Sequence, residues 1–211
     1  MTKSIPSARA IVVIALAAFW SGCATVIAAD FQGNIPANRL DGNTYTSPDG
    51  GFTLTLPPLM NPRLEERQLS PTMQGIFVAD DLGRVYVVLR TDNSSKKETL
   101  ERIANSYPPS NRLRAKEIVT TPRGQEIRLL AVIEGASPLI ARTEKDGKTT
   151  ERRGDLVKAI SIFLHEDYIY DVTAGVTPLG SKPEAEVAED AKKRLDEFLS
   201  GLKISVKKSA P

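Results

Sequence analysis

The sequence predicts an α+β fold in which one antiparallel β-sheet is flanked by two long helices. Short apolar segments separated by turn residues recur through most of the chain after residue 45, as they do in antiparallel hairpins. Two other segments, near residues 95–107 and 183–202, carry apolar residues at helical spacing. Both helices are expected to bury their apolar stripes on the sheet.

The strand predictions rest on alternation and on turn chemistry. Residues 52–56 alternate between apolar and polar, which is typical of a half-buried strand, and turn residues precede them. Residues 85–89 are apolar on both faces and indicate a central strand. Further strands are predicted at 63–69, 74–79, 84–90, 116–121, 125–134, 137–144, 148–153, 156–164 and 168–174, with Asp146-Gly147 as a strong hairpin turn.

Both helices are predicted to begin with a capping box, in which a serine is followed three residues later by a glutamate. Ser95 with Glu98 starts the first helix, and Ser181 with Glu184 starts the second. Gly201 is predicted to be the C-cap of the second helix. The apolar stripe of that helix contains Val187, Ala191, Leu195, Phe198 and Leu202.

One stretch of the sequence resembles a known family. Residues 45–57 read Tyr-x-Ser-Pro-Asp-Gly-Gly-Phe-x-Leu-x-Leu-Pro, and a late strand carries Tyr170-Asp171-Val172. Together with the closing segment 198–204, these motifs resemble PsbP-like domains, which include the photosystem II extrinsic subunit P and many bacterial lipoproteins. The resemblance covers about residues 45–204. It implies an α-β-α sandwich on an antiparallel sheet and supplies no family-wide catalytic residue.

The N-terminus has the layout of a bacterial lipoprotein signal. A positive stretch with Lys3 and Arg9 precedes an apolar run of about ten residues, shorter than the roughly 20 that span a bilayer. Ser21 and Gly22 lead into Cys23, the single cysteine, and this segment resembles a lipobox. The interpretation is that Cys23 is lipidated and becomes the mature N-terminus.

The alternative is an ordinary signal peptide cleaved after Ala28, which would give a soluble periplasmic protein. With lipidation, the protein is expected on the periplasmic face of the outer membrane, because Ala24 rather than Asp follows the cysteine. The predicted organisation is a signal segment at 1–23, a flexible tether at 24–46, a single α+β domain at 47–204 and a disordered tail at 205–211.

The charge balance excludes one class of partner. Lys and Arg number 28 against 26 Asp and Glu, and the two basic residues that precede Cys23 leave with the signal segment. The mature chain is therefore close to neutral, and it lacks the basic footprint of a nucleic-acid-binding protein.

Candidate catalytic groups are few. His165 is the single histidine, and with no free thiol to assist it cannot build a zinc site of the common kind, so no metal or cofactor is predicted. The acidic pairs Asp80-Asp81 and Glu166-Asp167 fall at predicted turns, where Asp is favoured by turn geometry. A non-enzymatic binding or accessory module is the favoured interpretation. An envelope hydrolase that uses His165 with a serine or a carboxylate is the alternative.

Basic residues cluster at the predicted Asp146-Gly147 hairpin. Lys148, Arg152 and Arg153 form the candidate contact surface, because a projecting loop is a common place for recognition. The expected partner is the membrane itself, through anionic headgroups, or an acidic envelope protein. Because Glu144 and Glu151 are interleaved with these residues, a solvated hairpin of mixed charge is the alternative.

Replacement of Cys23 by serine is expected to release the protein from membranes or to leave it unprocessed, because lipidation takes place on the cysteine thiol. Partitioning of the full chain between detergent and aqueous phases measures this. A Cys23→Ser variant that partitions like the wild type would contradict the anchor.

Overall fold

The computed structural model describes residues 35, 39–110, 112–145, 148–178 and 182–205. Three groups of antiparallel strands and two helices make up this part of the chain. Cys23, the signal segment and the turn residues Asp146 and Gly147 lie outside the described residues, as does tail segment 206–211.

The main sheet has seven antiparallel strands in the order β4-β5-β6-β12-β11-β8-β7. Val85–Leu89 lie in β6, an inner strand that pairs with β5 on one side and β12 on the other. The predicted position inside the sheet is therefore confirmed. The seven strands are β4 (Arg63–Ser70), β5 (Met73–Ala79), β6 (Arg84–Asp92), β7 (Leu113–Thr121), β8 (Gly124–Ile133), β11 (Leu156–His165) and β12 (Tyr168–Val176).

A smaller sheet joins the start of the domain to its end. Its order is β1-β2-β3-β13, so the first strands pair with the last. A separate two-stranded ribbon is formed by β9 and β10, which confirms the predicted hairpin on either side of the turn. The bounds are β1 (Leu40–Asp41), β2 (Thr44–Thr46), β3 (Phe52–Thr55), β9 (Ile140–Lys145), β10 (Lys148–Arg153) and β13 (Leu202–Ile204).

Strands β1 and β2 overlap the predicted tether at 24–46. Thr44–Thr46 pairs with Thr55–Thr53 of β3, and the side chain of Tyr45 is 1% exposed. The last residues before Ser47 are therefore part of the folded domain, because a buried tyrosine fixes them to the core.

The closing helix, α2 (Glu184–Ser200), packs on one face of the main sheet. Its predicted apolar stripe is confirmed, since Ala191, Leu195 and Phe198 are at most 2% exposed. The ring of Phe198 lies 4.8 Å from that of Tyr86, between centroids. Ser181 of the predicted capping box lies outside the described residues, and the observed N-cap is Pro183, which makes no side-chain cap hydrogen bond.

The prediction of a sheet flanked by two long helices is wrong, and with it the α-β-α sandwich. Helix α1 (Leu100–Asn105) has only six residues, so the described chain is mostly β-structure. The predicted cap at Ser95 fails because the side chain of Asn93 bonds both the N–H and the carbonyl of Glu98, at 2.7 and 3.0 Å. The cap is instead Thr99, whose hydroxyl accepts from the N–H of Arg102.

Gly201 lies at the predicted C-cap, but glycine is needed there for a different reason. Its φ is −80°, so it does not take the left-handed conformation that usually selects glycine there. A Cβ at this position would lie 2.3 Å from the carbonyl oxygen of Thr55. Gly201 therefore allows the end of α2 to approach β3, which lets β13 pair with it.

Within the described residues, no helix combines the length and the apolar character needed to cross a membrane.

Phe198→Ala is expected to lower the free energy of unfolding by about 3–5 kcal/mol, because it removes a fully buried ring and leaves a cavity beside Tyr86. Urea denaturation measures the change. Lys193→Ala, on the exposed side of the same helix, is the control and is expected to change the free energy by less than about 0.5 kcal/mol. Equal, small effects of both substitutions would contradict the packing.

Candidate functional site

A pocket of about 220 Å³ lies at one end of the main sheet. It forms where the turn before β3, the end of β6 and the β11–β12 hairpin meet the last described residues of the chain. Its lining residues are Asp49, Gly50, Gly51, Arg90, His165, Glu166, Tyr168, Tyr170, Ile204 and Ser205. The family-like opening motif and the late tyrosine strand therefore contribute to the same cavity.

The turn before β3 holds the carboxylate of Asp49 in place. Asp49 Oδ1 accepts hydrogen bonds from Ser47 Oγ and from the N–H of Gly51, both at 3.1 Å. The hydroxyl of Ser47 in turn accepts from the N–H of Phe52 at 3.0 Å. Gly50 has a φ of 67°, the left-handed region that favours glycine, which explains its place in this turn.

Arg90 brings a positive charge into this end of the sheet. Its side chain is 6% exposed and forms an ion pair with Asp49. The guanidinium carbon lies 4.5 Å from the ring centre of Tyr168 and 5.9 Å from that of Phe52. When the amide of Gln74 is oriented with its oxygen toward Arg90, that oxygen accepts from Nε at 3.2 Å and from Nη2 at 2.7 Å.

Glycine is required where the turn meets this arginine. A Cβ on Gly51 would lie 1.6 Å from Nη1 of Arg90, so any side chain would displace the guanidinium.

Burial alone would raise the pKa of Asp49, but the hydrogen bond from Arg90, that from the Gly51 N–H and the charge of Arg90 lower it to about 2. Asp49 is therefore ionised and committed to Arg90.

His165 lies in the pocket and not on a bare hairpin tip. It is the last residue of β11 and pairs with Tyr168 across the turn. Its Nε2 is buried and has no hydrogen-bond partner among the described residues. The imidazole therefore lines the same pocket as Asp49, Glu166 and Ser205, which are the kinds of group that the hydrolase alternative requires.

Glu166, beside His165, has a φ of 50°, which is uncommon for a residue with a side chain. The other predicted acidic pair has a structural role. Asp80 accepts hydrogen bonds from the N–H of Leu82 in its own turn and from Nε of Arg84. Asp81 forms an ion pair with Arg63 at 3.1 Å. Over the residues that the structure describes, no group of three or more metal-binding side chains forms.

Two further charged side chains of opposite sign, one buried and one partly buried, lie on neighbouring inner strands of the main sheet. Asp171 of β12 accepts from the hydroxyl of Thr173 at 3.2 Å, and Lys158 of β11 is 9% exposed. Burial raises the pKa of Asp171 to about 6 and lowers that of Lys158 to about 8, although the attraction between the two charges opposes both shifts. Neither residue lines the pocket.

The predicted contact surface lies on the β9–β10 ribbon. The register opposes Lys148 to Lys145, and alternate positions of paired strands share a face. By register, positions 141, 143, 145, 148, 150 and 152 form one set with three basic residues, and positions 140, 142, 144, 149, 151 and 153 form the other with two basic and two acidic residues. Arg153 therefore belongs to a different set from Lys148 and Arg152. Nη1 of Arg153 is buried and has no hydrogen-bond partner within the described part of the chain.

Sequence reasoning missed Asp49 and Arg90. A signal for Arg90 exists, because it ends the otherwise apolar central run Val-Tyr-Val-Val-Leu-Arg, where a charge needs a buried partner. No comparable signal exists for Asp49, because aspartate is common in turns and the sequence around it already predicts a turn.

No family model matches the chain, and no curated protein matches it. Among solved structures, the chain is similar to cyanobacterial PsbP (CyanoP) from Synechocystis sp. PCC 6803, with 10% identity over 82% of this chain and 99% of that one, and a TM-score of 0.48. It is also similar to the Ran-binding protein Mog1p of Saccharomyces cerevisiae, with 14% identity over 78% and 96% of the two chains and a TM-score of 0.41.

A third similar structure is a protein of Bacteroides thetaiotaomicron, with 13% identity over 80% of this chain and a TM-score of 0.41. This chain spans half of that protein's length, since 50% of it is covered. A PsbP structure is thus among those that this chain is similar to, and membership of the PsbP-like family stays a prediction.

Asp49→Asn is expected to lower the free energy of unfolding by about 1 kcal/mol near neutral pH, a value reduced for solvent screening because the carboxylate side chain is 43% exposed. The pKa of Asp49 is lower in the folded state, so the ion pair stabilises the fold above about pH 4. This contribution is lost as the pH falls toward about 2.

Unfolding of the wild type and the variant at about pH 6 and about pH 2 tests this dependence, because the difference between the two proteins should be full at the higher value and mostly lost at the lower one. Asp41→Asn, at an exposed position of β1, is the control. A difference between wild type and Asp49→Asn that is the same at both pH values would contradict the ion-pair account.

Proposed function

We propose that this chain is a non-enzymatic, lipid-anchored protein of the cell envelope that acts as a binding or accessory module. In this proposal the lipid on Cys23 holds the domain at the periplasmic face of the outer membrane. The domain then acts through surface contacts, with Lys148, Arg152 and Arg153 as the contact surface for anionic headgroups or an acidic envelope protein.

The observation that carries the proposal is the separate β9–β10 ribbon. It pairs only with itself among the described strands and joins neither of the two larger sheets. The ribbon strands carry five basic residues against two acidic ones. A basic element of this kind, held outside the main sheet, offers its residues to a partner without rearrangement of the core.

The pocket gives hydrolysis limited support. One of its carboxylates, Asp49, is engaged by Arg90, and a carboxylate with a lowered pKa is a poor general base. The hydrolase alternative keeps one specific observation in its favour, which is the buried, unpartnered Nε2 of His165 beside Glu166 and Ser205.

Replacement of Lys148, Arg152 and Arg153 together by serine is expected to remove crosslinks between the membrane-associated protein and its neighbours, because the positive side chains that hold the partner are lost. Crosslinking in membranes, followed by mass spectrometry, measures the change. The matched control replaces Lys182, Lys192 and Lys193, which removes the same charge from the closing helix and the residues before it and should leave the pattern unchanged.

An unchanged crosslink pattern in the ribbon variant would remove the proposed surface. The hydrolase alternative has its own outcome, which is turnover of an envelope substrate by the purified protein together with its loss in His165→Ala. Such a result would overturn the non-enzymatic proposal whatever the crosslinks show.

A further inference from the structure

Strand β7 (Leu113–Thr121) lies at one edge of the main sheet. Among the described strands, β8 alone pairs with it, so its outer side faces away from the sheet. The strand is exposed along most of its length, and the side chain of Ile118, near its centre, is 51% exposed. A long exposed edge strand is a template on which another strand can pair.

The second half of β7 has little of the charge that usually protects an edge. Residues 118–121 are Ile-Val-Thr-Thr, four β-branched residues in a row, which favour strand pairing. Nζ of Lys116 is turned toward helix α1, where it donates to the carbonyls of Ala104 and Tyr107 at 3.1 and 3.0 Å. The opposite edge strand, β4, carries four charged residues among positions 63–67. The second half of β7 is therefore the less protected edge of the two.

The hairpin register determines which residues of β7 direct their backbone outward. Thr121 pairs with Gly124 across a two-residue loop, and the pair that closes such a loop is hydrogen-bonded. Hydrogen-bonded and non-hydrogen-bonded pairs alternate along an antiparallel ladder. Positions 116, 118 and 120 are therefore in non-hydrogen-bonded pairs with β8, and their N–H and carbonyl groups point toward the open edge.

We infer that two copies of this chain pair antiparallel through β7, about a two-fold axis at Ile118, and form one continuous sheet. In this register Ile118 lies opposite Ile118 of the second copy, and Lys116 of each copy lies opposite Thr120 of the other. These pairs join residues with outward-directed backbone groups, and each pair can exchange two hydrogen bonds. The two exposed isoleucines then cover each other, and Glu117 lies opposite the uncharged Val119.

The neighbouring registers are less favourable. An axis at Glu117 would place the two Glu117 carboxylates directly opposite each other, where like charges repel. An axis at Val119 would place Lys116 opposite Pro122, which has no N–H to donate, so that hydrogen-bonded pairs remain only between positions 118 and 120. The strand is thus self-complementary at one register, which favours a second copy over an unrelated strand as the partner.

Disulfide formation tests this register directly. In a full chain with Cys23→Ser, which removes the single cysteine, Ile118→Cys is expected to give a covalent dimer under mild oxidation. The reason is that the Cα atoms of a hydrogen-bonded pair lie about 5.5 Å apart, within the range for a disulfide. Non-reducing electrophoresis of the detergent-solubilised chain measures the yield.

Thr120→Cys in the same chain is the matched control, since this position is exposed on the same strand. Its two copies would lie four positions apart along the strands, roughly 13 Å by the rise per residue, which is too far for a disulfide. Little covalent dimer is therefore expected from this variant.

Ile118→Lys is expected to raise the concentration at which half of the protein is dimeric by at least about 10-fold, because two lysines would lie opposite each other at the axis. Leu82→Lys, at another exposed apolar position, should leave that concentration unchanged. Sedimentation equilibrium in density-matched detergent measures both.

A chain that sediments as a monomer and gives no crosslink at position 118 would overturn the inference, as expected if a strand of a different protein occupies the edge. Equal crosslink yields at 118 and 120, which indicate random collision, would overturn it as well. So would a crosslink from Val119→Cys without one from Ile118→Cys. These outcomes involve neither the ribbon nor the lipid, so this inference and the proposed function can fail separately.

Discussion

The buried guanidinium of Arg90 is the constraint on which the arrangement of this domain depends. A charge in the interior is tolerated only when it is paired and hydrogen-bonded, so every element around it must sit within reach. Asp49 comes from the turn before β3, and Tyr168 comes from β12. One side chain thereby joins the small sheet to the large one. Gly51 is part of the same requirement, since a side chain there would occupy the position of the guanidinium.

The sequence was sufficient for features that depend on neighbours along the chain. Alternation and turn residues predicted the hairpins and the central position of β6, and helical spacing predicted the buried stripe of α2. The length of the first helix was overestimated because the pattern Ser95–Glu98 fits a turn as well as it fits a helix capping box. The turn forms because the side-chain amide of Asn93 hydrogen-bonds both the N–H and the carbonyl of Glu98. The local sequence does not indicate whether this arrangement or the capping box is the more stable.

The candidate site could not be predicted for a different reason. Its residues come from four separate parts of the chain, around positions 49–51, 90, 165–170 and 204–205. Sequence reasoning placed His165 on a turn, whereas it is the last residue of strand β11, and the groups that surround the imidazole are set by the packing of the two sheets. For the ribbon, the strands could be predicted but the contact that holds their base could not. Its strands were predicted from the Asp146-Gly147 signal, whereas the hydrogen bond between Ser137 and Thr177 that fixes its base is a tertiary contact.

The pairing of β3 with both β2 and β13 has a mechanical consequence. A force applied to the N-terminal side of the domain reaches β1 first, which is held to β2 by two residue pairs, and then β2, which is held to β3 by three. The load then passes to β13, again through three pairs, and from there into helix α2. The seven-stranded sheet lies beyond this path and has eight to nine paired positions between most of its inner strands. Under tension the small sheet therefore peels open first, and the main sheet keeps its fold.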